Sequence, residues 1–134
     1  MSRADLLARF DRHGVLPTPQ RLEVAEVLLG RPQHLSADQI IERLKDAGSS
    51  VSKATVYNTL NLFCDRGLVR EVMVDPVRKF YDSTTHSHHH FYNLDTGELC
   101  DIPDDAVRFS ELPALPEGTA TESVEVMIRI RNSG

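Results

Sequence analysis

The feature of this sequence with the clearest chemical potential is a run of histidines in its second half. His86, His88, His89 and His90 fall within five consecutive positions. Four imidazoles cannot all be satisfied in an apolar interior, so a purely structural role in a core is disfavoured. If residues 88–94 form a strand, His86, His88 and His90 project from one face and His89 from the other. The run therefore predicts a metal site on a strand, and an exposed loop that collects metal adventitiously is the alternative.

A carboxylate lies close to this predicted strand in sequence. A turn at Asp95-Thr96-Gly97 precedes a second short strand, 98–102, which could bring Asp101 beside the histidines. Imidazole and carboxylate donors without a thiolate suit Fe²⁺, Mn²⁺, Co²⁺ or Zn²⁺ and disfavour Cu(I). No Glu stands beside the histidines as it does in H-E-x-x-H enzymes. A small metalloenzyme is therefore the less favoured interpretation.

The two cysteines, Cys64 and Cys100, are far apart in sequence and form no C-x-x-C pair. We expect two buried thiols in a reducing compartment. Neither a disulfide framework nor a cysteine-bound zinc is predicted.

The elements that must position these residues begin with four amphipathic helical patterns. The first covers residues 4–13, and side-chain caps at Thr18, Ser36 and Ser52 open the others. Gln39 follows Ser36 at the spacing of a capping box. The apolar residues that recur at helical spacing, and that we expect to be buried, are Leu6, Leu7, Phe10, Leu22, Ala25, Leu28, Leu29, Ile40, Ile41, Leu44, Val56, Leu60 and Phe63.

After Gly67 the apolar residues change from a helical to an alternating period. Residues 68–74 and 77–82 are predicted to be two short strands, joined by a turn at Asp75-Pro76. Helices followed by a hairpin predict a winged helix-turn-helix domain over residues 1–83.

The helix before this hairpin has a polar face typical of DNA recognition. Lys53, Tyr57 and Asn61 recur at i, i+4 and i+8, with Asn58 beside them and Thr55 near the helix start. Asn can pair with an adenine edge, Tyr can pack on a thymine methyl, and Lys can reach phosphate. A merely solvated polar face is the alternative. Candidate phosphate contacts at the second helix and in the hairpin are Arg21, Arg70, Arg78 and Lys79.

Charge is divided unevenly along the chain. The net charge is −5, but residues 1–83 hold 12 Lys/Arg against 11 Asp/Glu, whereas residues 84–134 hold 3 against 9. DNA binding would therefore depend on a few placed cations and on dimerisation. No apolar run approaches the ~18 residues of a membrane span, so we expect a cytoplasmic protein without a membrane partner.

The remainder of the second half is predicted to be a small α/β domain over residues 84–134. Residues 123–131 alternate apolar and polar side chains, which predicts a strand with one buried face. A short helix and an irregular connector are expected between 103 and 121. Three strands are too few for a stable free domain, so this half is expected to pair with a second copy. The predicted fold class is α+β.

The sequence also resembles a known family. Pro19-Gln20-Arg21, His34-Leu35-Ser36-Ala37-Asp38, the segment 54–60 (ATVYNTL) and His88-His89-His90 occur together in the order found in the ferric uptake regulator (Fur) family. The similarity covers nearly the whole chain. Its C-terminal segment looks most like the iron response regulator (Irr) branch, and its site residues are next most similar to the peroxide regulator (PerR) branch.

The resemblance implies a homodimeric, metal-dependent DNA-binding regulator, usually a repressor of iron, metal or oxidative-stress genes at a palindromic operator. One divalent metal per subunit is implied, Fe²⁺ or Mn²⁺ in function and Zn²⁺ in purified protein. The implied ligands are His34, Asp82, His88, His90 and Asp101. Haem at His88, His89 and His90, or iron-catalysed histidine oxidation by peroxide, are alternative modes of sensing.

Two departures from the family pattern concern further metal sites. Asn93 and Thr96 stand where most members have a C-x-x-C pair, so a structural Cys₄ zinc is not expected. The family's second histidine and acid site also looks dismantled, because its positions hold Ser87, His89, Arg108 and Ser123.

Overall fold

The computed structural model describes residues 1–85 and 88–134. Its contacts divide the chain into an N-terminal unit, residues 1–85, and a C-terminal unit, residues 86–134. The domain boundary expected after residue 83 lies two positions before this division. The prediction for His86 and Ser87 falls outside the described residues.

The N-terminal unit contains four helices and a three-stranded antiparallel sheet. The helices are α1 (Arg3–Arg12), α2 (Pro19–Leu29), α3 (Ala37–Asp46) and α4 (Lys53–Asp65). The strands are β1 (His34–Leu35), β2 (Arg70–Met73) and β3 (Lys79–Asp82), in the order β1-β3-β2. Among the described residues, no helix combines the length and the apolar character that crossing a membrane requires.

The predicted helix caps are confirmed. The hydroxyls of Thr18, Ser36 and Ser52 each accept a hydrogen bond of 3.2 Å from the backbone N–H three residues later. Oε1 of Gln39 in turn accepts a bond of 2.9 Å from the N–H of Ser36, which completes the predicted capping box. These caps satisfy N–H groups that a helix start leaves without an intrahelical partner.

The helices enclose one apolar core. The predicted stripe of α4, Val56, Leu60 and Phe63, is fully buried, and the Phe63 ring lies 5.5 Å from that of Phe10. Leu7 is an exception, because it is 39% exposed although its pattern predicts burial. It follows Leu6 directly, and a short helix turns neighbouring side chains to different sides.

The hairpin predicted after α4 is confirmed, with strands shorter than expected. Oδ1 of Asp75 accepts hydrogen bonds from the N–H groups of Val77 and Arg78, at 2.8 and 2.7 Å, and so fixes the turn. Strand β1 was not predicted, since two residues carry no readable alternation. It pairs antiparallel with β3, with His34 opposite Asp82 and Leu35 opposite Tyr81. Helices followed by this small sheet form a winged helix-turn-helix.

The C-terminal unit is a three-stranded sheet with a long irregular connection. Its elements are β4 (His89–Asn93), β5 (Leu99–Ile102), a 3₁₀ turn at Asp104–Ala106 and β6 (Met127–Ile130). In the order β5-β4-β6, β5 runs antiparallel to β4 and β6 runs parallel to it. The fold class α+β is thus confirmed.

The buried face predicted for residues 123–131 is wrong for the single chain. The strand covers only Met127–Ile130, and Ile128 and Ile130 are 39% and 38% exposed. The alternation identifies an apolar face, but β6 is an edge strand, and within the described chain these two side chains stay partly open to solvent.

The expectation of two buried thiols is also wrong for one cysteine. Cys64 is half-buried, whereas Cys100 is exposed, and both are free thiols. In β5 Leu99 and Ile102 are buried, whereas Cys100 and Asp101, which point to opposite faces of the strand, are both exposed.

Replacing Ser36 by Ala should lower the free energy of unfolding by about 1 kcal/mol, because it removes the hydroxyl that accepts a hydrogen bond from the N–H of Gln39. Urea denaturation followed by circular dichroism measures this change. Ser110→Ala is the matched control, since Ser110 is exposed and lies outside the helices and strands. Equal denaturation midpoints for the two variants would show that the cap contributes nothing.

Candidate functional site

A histidine and an aspartate meet across two strands of the N-terminal unit. His34 on β1 lies directly opposite Asp82 on β3, and their Nε2 and Oδ2 atoms are 3.3 Å apart. Oδ1 of Asp82 accepts a hydrogen bond of 2.8 Å from the N–H of Thr84. The Asp82 side chain is 1% exposed and that of His34 is 10% exposed. Strand pairing thus fixes both side chains in a buried position.

This pair faces away from the helical core. Leu35 and Tyr81 form the neighbouring cross-strand pair, and both belong to the apolar core under the helices. Because successive side chains of a strand point to opposite faces, His34 and Asp82 occupy the other face of the sheet.

Two histidines and an aspartate meet in the C-terminal unit. Nε2 of His88 and Nε2 of His90 lie 2.7 and 3.4 Å from Oδ1 of Asp101. The two imidazole rings are 4.3 Å apart, and the potential ligand atoms of all three residues fall within 4.8 Å of one another. Asp101 is brought there because β5 pairs with β4 and sets it opposite His90. The strand alternation predicted this convergence.

His89 points to the other face of β4, also as predicted, and has a different environment. Its Nδ1 accepts a hydrogen bond of 2.8 Å from the N–H of Val126, and its ring packs edge-on against Phe109 at 5.9 Å. His89 therefore links β4 to the segment that enters β6. The three consecutive histidines of the run therefore do not share one face of the strand.

Both donor sets have the chemistry of a site for a divalent metal. The N-terminal pair and the C-terminal triad offer only imidazole nitrogen and carboxylate oxygen, which suit Fe²⁺, Mn²⁺ or Zn²⁺. Asp82, His88 and His90 are buried, and polar groups are kept in such positions only when they are partnered. The residues present fit a metal, and none of them is a cysteine.

The thiols are poor candidates for metal ligands at neutral pH. Burial, with Glu71 nearby, raises the pKa of Cys64 to about 12. Partial desolvation of the otherwise exposed Cys100 thiol also raises its pKa, with a further contribution from Glu98. Since the thiolate is the form that binds metal, a raised pKa disfavours metal binding by either cysteine.

The polar face predicted on α4 is open to solvent. Lys53, Tyr57, Asn58 and Asn61 are exposed, and Thr55 is half-buried with its hydroxyl 2.8 Å from that of Ser52. Apart from Thr55, these residues lie outside the buried stripe of α4, so they are accessible to a partner.

The four candidate phosphate contacts differ in their surroundings. Arg78 is exposed in the hairpin, near Asp75, and Nη1 of Arg21 donates a hydrogen bond of 2.7 Å to the carbonyl of Leu16. Nζ of Lys79 lies 3.3 Å from Glu71 and 5.7 Å from the Tyr81 ring. Arg70 is half-buried opposite Asp82. The last two are therefore less exposed than Arg78.

Two features of the site could not be found from residue spacing. His34 and Asp82 are far apart in sequence, and only the family resemblance pointed to them. The link between His89 and Val126 joins a side chain to a backbone N–H, which leaves no residue pattern to detect.

Comparison with known proteins identifies the family. Residues 12–129 match the sequence model of the ferric uptake regulator family. A peroxide-responsive repressor PerR of Staphylococcus saprophyticus is 32% identical over 98 residues, which cover 73% of this chain and 66% of that relative. The ferric uptake regulation protein of Vibrio cholerae is 36% identical over 96 residues, covering 70% of this chain and 64% of the relative. The matched region thus spans slightly less than two thirds of these curated relatives.

Solved structures agree with this result. The crystal structure of the Vibrio cholerae ferric uptake regulator superposes with a TM-score of 0.73 at 26% identity, covering 93% of this chain and 98% of the other. The Campylobacter jejuni peroxide stress regulator gives a TM-score of 0.61 at 25% identity, covering 100% and 98%. Since the family model covers most of the chain and the fold matches throughout, this chain belongs to the ferric uptake regulator family.

Proposed function

We propose that this chain is a homodimeric, metal-dependent DNA-binding regulator, acting as a repressor in the cytoplasm. Its proposed ligands are His34, Asp82, His88, His90 and Asp101, which take up one divalent ion per subunit. Relatives named as ferric uptake regulators and peroxide-responsive repressors support this role. The observation that carries the proposal is that each unit presents an incomplete set of donors, two in one and three in the other.

An incomplete donor set in each unit would explain how metal binding could affect both units of the chain. Zinc generally takes four ligands and Fe²⁺ or Mn²⁺ up to six, so neither the pair nor the triad fills a coordination sphere alone. A bound divalent ion would supply positive charge that compensates the carboxylates, and it would accept the imidazole nitrogens as ligands. His34 and Asp82 would then be tied to His88, His90 and Asp101, which fixes the orientation of the N-terminal unit.

This coupling would act as a shift between populations of conformations. In the dimer, the two copies of α4 must lie roughly one helical turn of DNA apart, about 34 Å, to meet the half-sites of a palindrome. Chains whose ligands hold a metal ion would populate that spacing. Chains without metal would distribute over other orientations and would bind DNA more weakly.

The DNA-reading residues are proposed from their exposure on α4. Tyr57, Asn58 and Asn61 would contact base edges, Lys53 and Thr55 lie near the helix start, and the N-terminal unit provides Arg21 and Arg78 for phosphates. Because positive charge in this unit barely exceeds negative charge, two such units acting together are needed for tight binding.

The proposed dimer would use the C-terminal unit. Ile128 and Ile130 on β6 and Phe91 on β4 are each more than a third exposed in the single chain. A second copy would cover such side chains, and it would supply the strands that a three-stranded sheet lacks. DNA is the proposed partner of the N-terminal unit in the same assembly.

His90→Ala should weaken binding of Mn²⁺ and Zn²⁺ by about 100-fold, because it removes a buried ligand from the triad. Isothermal titration of chelator-treated protein measures the change. His13→Ala is the control, since His13 contacts the Arg66 carbonyl at 3.0 Å and belongs to neither donor set. The variant with both Cys64 and Cys100 replaced by Ala should keep wild-type affinity. Unaltered binding by His90→Ala would exclude the proposed ligand set.

Asp82→Ala and Asn61→Ala should separate metal response from DNA reading. With a duplex selected in vitro by Mn²⁺-loaded wild type, we expect Asp82→Ala to bind weakly both with and without Mn²⁺. We expect Asn61→Ala to bind Mn²⁺ normally and the duplex about tenfold more weakly, the usual effect of one lost base contact. Fluorescence anisotropy at fixed salt measures both. A normal metal response in Asp82→Ala would contradict the coupling.

Peroxide sensing is the second candidate mode, favoured by the similarity to peroxide-responsive repressors. Protein loaded with Fe²⁺ and treated with peroxide should then gain about 16 Da on a peptide containing His34 or residues 88–90, because histidine oxidation adds one oxygen atom. Mass spectrometry measures the gain, and Mn²⁺-loaded protein is the control. Equal oxidation with both metals would argue against a dedicated sensor.

A further inference from the structure

Three side chains line up across the sheet of the N-terminal unit. Asp82 on the central strand β3 lies opposite His34 on β1 and also opposite Arg70 on β2. Directly opposed residues of antiparallel strands have neighbouring side chains on the same face. The row therefore sets Arg70 and His34 on the two sides of the buried Asp82, on one face of the sheet.

The face that carries this row is otherwise apolar. Val72 and Phe80 form the next cross-strand pair on it, and both are 7% exposed. Lys79 faces the other way, together with Glu71 and Tyr81, on the side of the sheet that meets the helical core. Among the described strand residues of this sheet, Arg70 is thus the permanent cation on the face of Asp82.

The burial of Asp82 makes its charge sensitive to the position of Arg70. Asp82 is 1% exposed, and a buried carboxylate is costly unless an opposite charge or hydrogen bonds compensate for it. Arg70 is half-buried, and guanidinium keeps its charge at every physiological pH. A cation on the neighbouring strand can compensate such a carboxylate in the absence of metal, and it repels a second cation that approaches the same oxygen atoms.

We infer that Arg70 is a positioning residue that sets the metal concentration at which the site fills. Its guanidinium balances Asp82 in the metal-free protein and opposes the incoming divalent ion. This inference rests on the proposed function, because it takes Asp82 to be a ligand. It goes beyond that function by assigning the sensing threshold to a residue that is not itself a ligand.

The first test compares Mn²⁺ affinity by isothermal titration of the full chain. Arg70→Gln should bind Mn²⁺ on the order of tenfold more tightly than wild type, because a like charge near the ion is lost. Arg70→Lys keeps the charge and should stay close to wild type. The matched control is Arg12→Gln, which removes the same charge from an exposed position on α1 and should leave Mn²⁺ affinity unchanged. Equal or weaker binding by Arg70→Gln would overturn the inference.

The second test needs no metal. In chelator-treated protein, Arg70→Gln should lower the urea midpoint, and the same substitution should lower it much less when Asp82→Asn is also present. Such non-additivity is expected only if the two side chains interact. If Arg70→Gln alone does not fold, the double variant still should, because it removes both charges. A double variant that also fails to fold would overturn the pairing.

The two tests distinguish this inference from the proposed function. If the effects of Arg70→Gln and Asp82→Asn on the urea midpoint of metal-free protein are additive, the role of Arg70 is overturned and the proposed ligands are unaffected. A wild-type chain that binds no Mn²⁺ would overturn the proposed function, and the threshold role with it.

Discussion

The position of His34 depends on the pairing of a two-residue strand with β3. Two residues form almost no sheet by themselves, so β1 persists because its neighbours hold it in place. Leu35 is buried in the helical core, and the following Ser36 caps α3. Because a core contact and a helix start follow it directly, the backbone of His34 has little conformational freedom. Its ring therefore lies beside Asp82. A buried carboxylate is acceptable at the end of β3 because this partner and the N–H of Thr84 are fixed.

In the C-terminal unit, the histidines at β4 have two different roles, because successive side chains point to opposite faces of the strand. His88 and His90 point to Asp101 on one face, while His89 accepts a hydrogen bond from the backbone of Val126 on the other. The second role matters because β6 runs parallel to β4 and follows a long irregular connection. A parallel strand cannot be positioned by a tight turn, so a side chain that secures its entry compensates for the missing hairpin.

Much of the fold could be predicted from local patterns, because each pattern has a local physical cause. The caps at Ser36 and Ser52, the hairpin after Gly67 and the alternation around His90 all follow from groups that lie a few positions apart. The contact of His34 with Asp82 and the alignment of Arg70 with Asp82 follow from strand register. Register is set by the packing of the whole sheet, and no short segment encodes it.

The errors have a common physical origin. Alternation along residues 123–131 correctly marks an apolar side of the strand, but it cannot tell whether anything covers that side. Ile128 and Ile130 accordingly stay partly exposed in one chain. Cys100 was expected inside because cysteine is usually buried, yet its place in β5 leaves it outside. Burial is a property of the assembled surface, whereas residue type and period describe only one segment.

Charge explains why the proposed regulator would need both a metal and a second copy. An N-terminal unit with 12 basic and 11 acidic residues would gain little from the general attraction of phosphate, so nonspecific binding to DNA should be weak. Specific affinity must then come from a few contacts made at the right spacing on two units at once. Such contacts add only when the orientation of each unit is fixed beforehand, since every unfixed degree of freedom costs affinity. A weakly basic reader is therefore better suited to control by orientation than a strongly basic one, which would stay on DNA whether or not its ligands were filled.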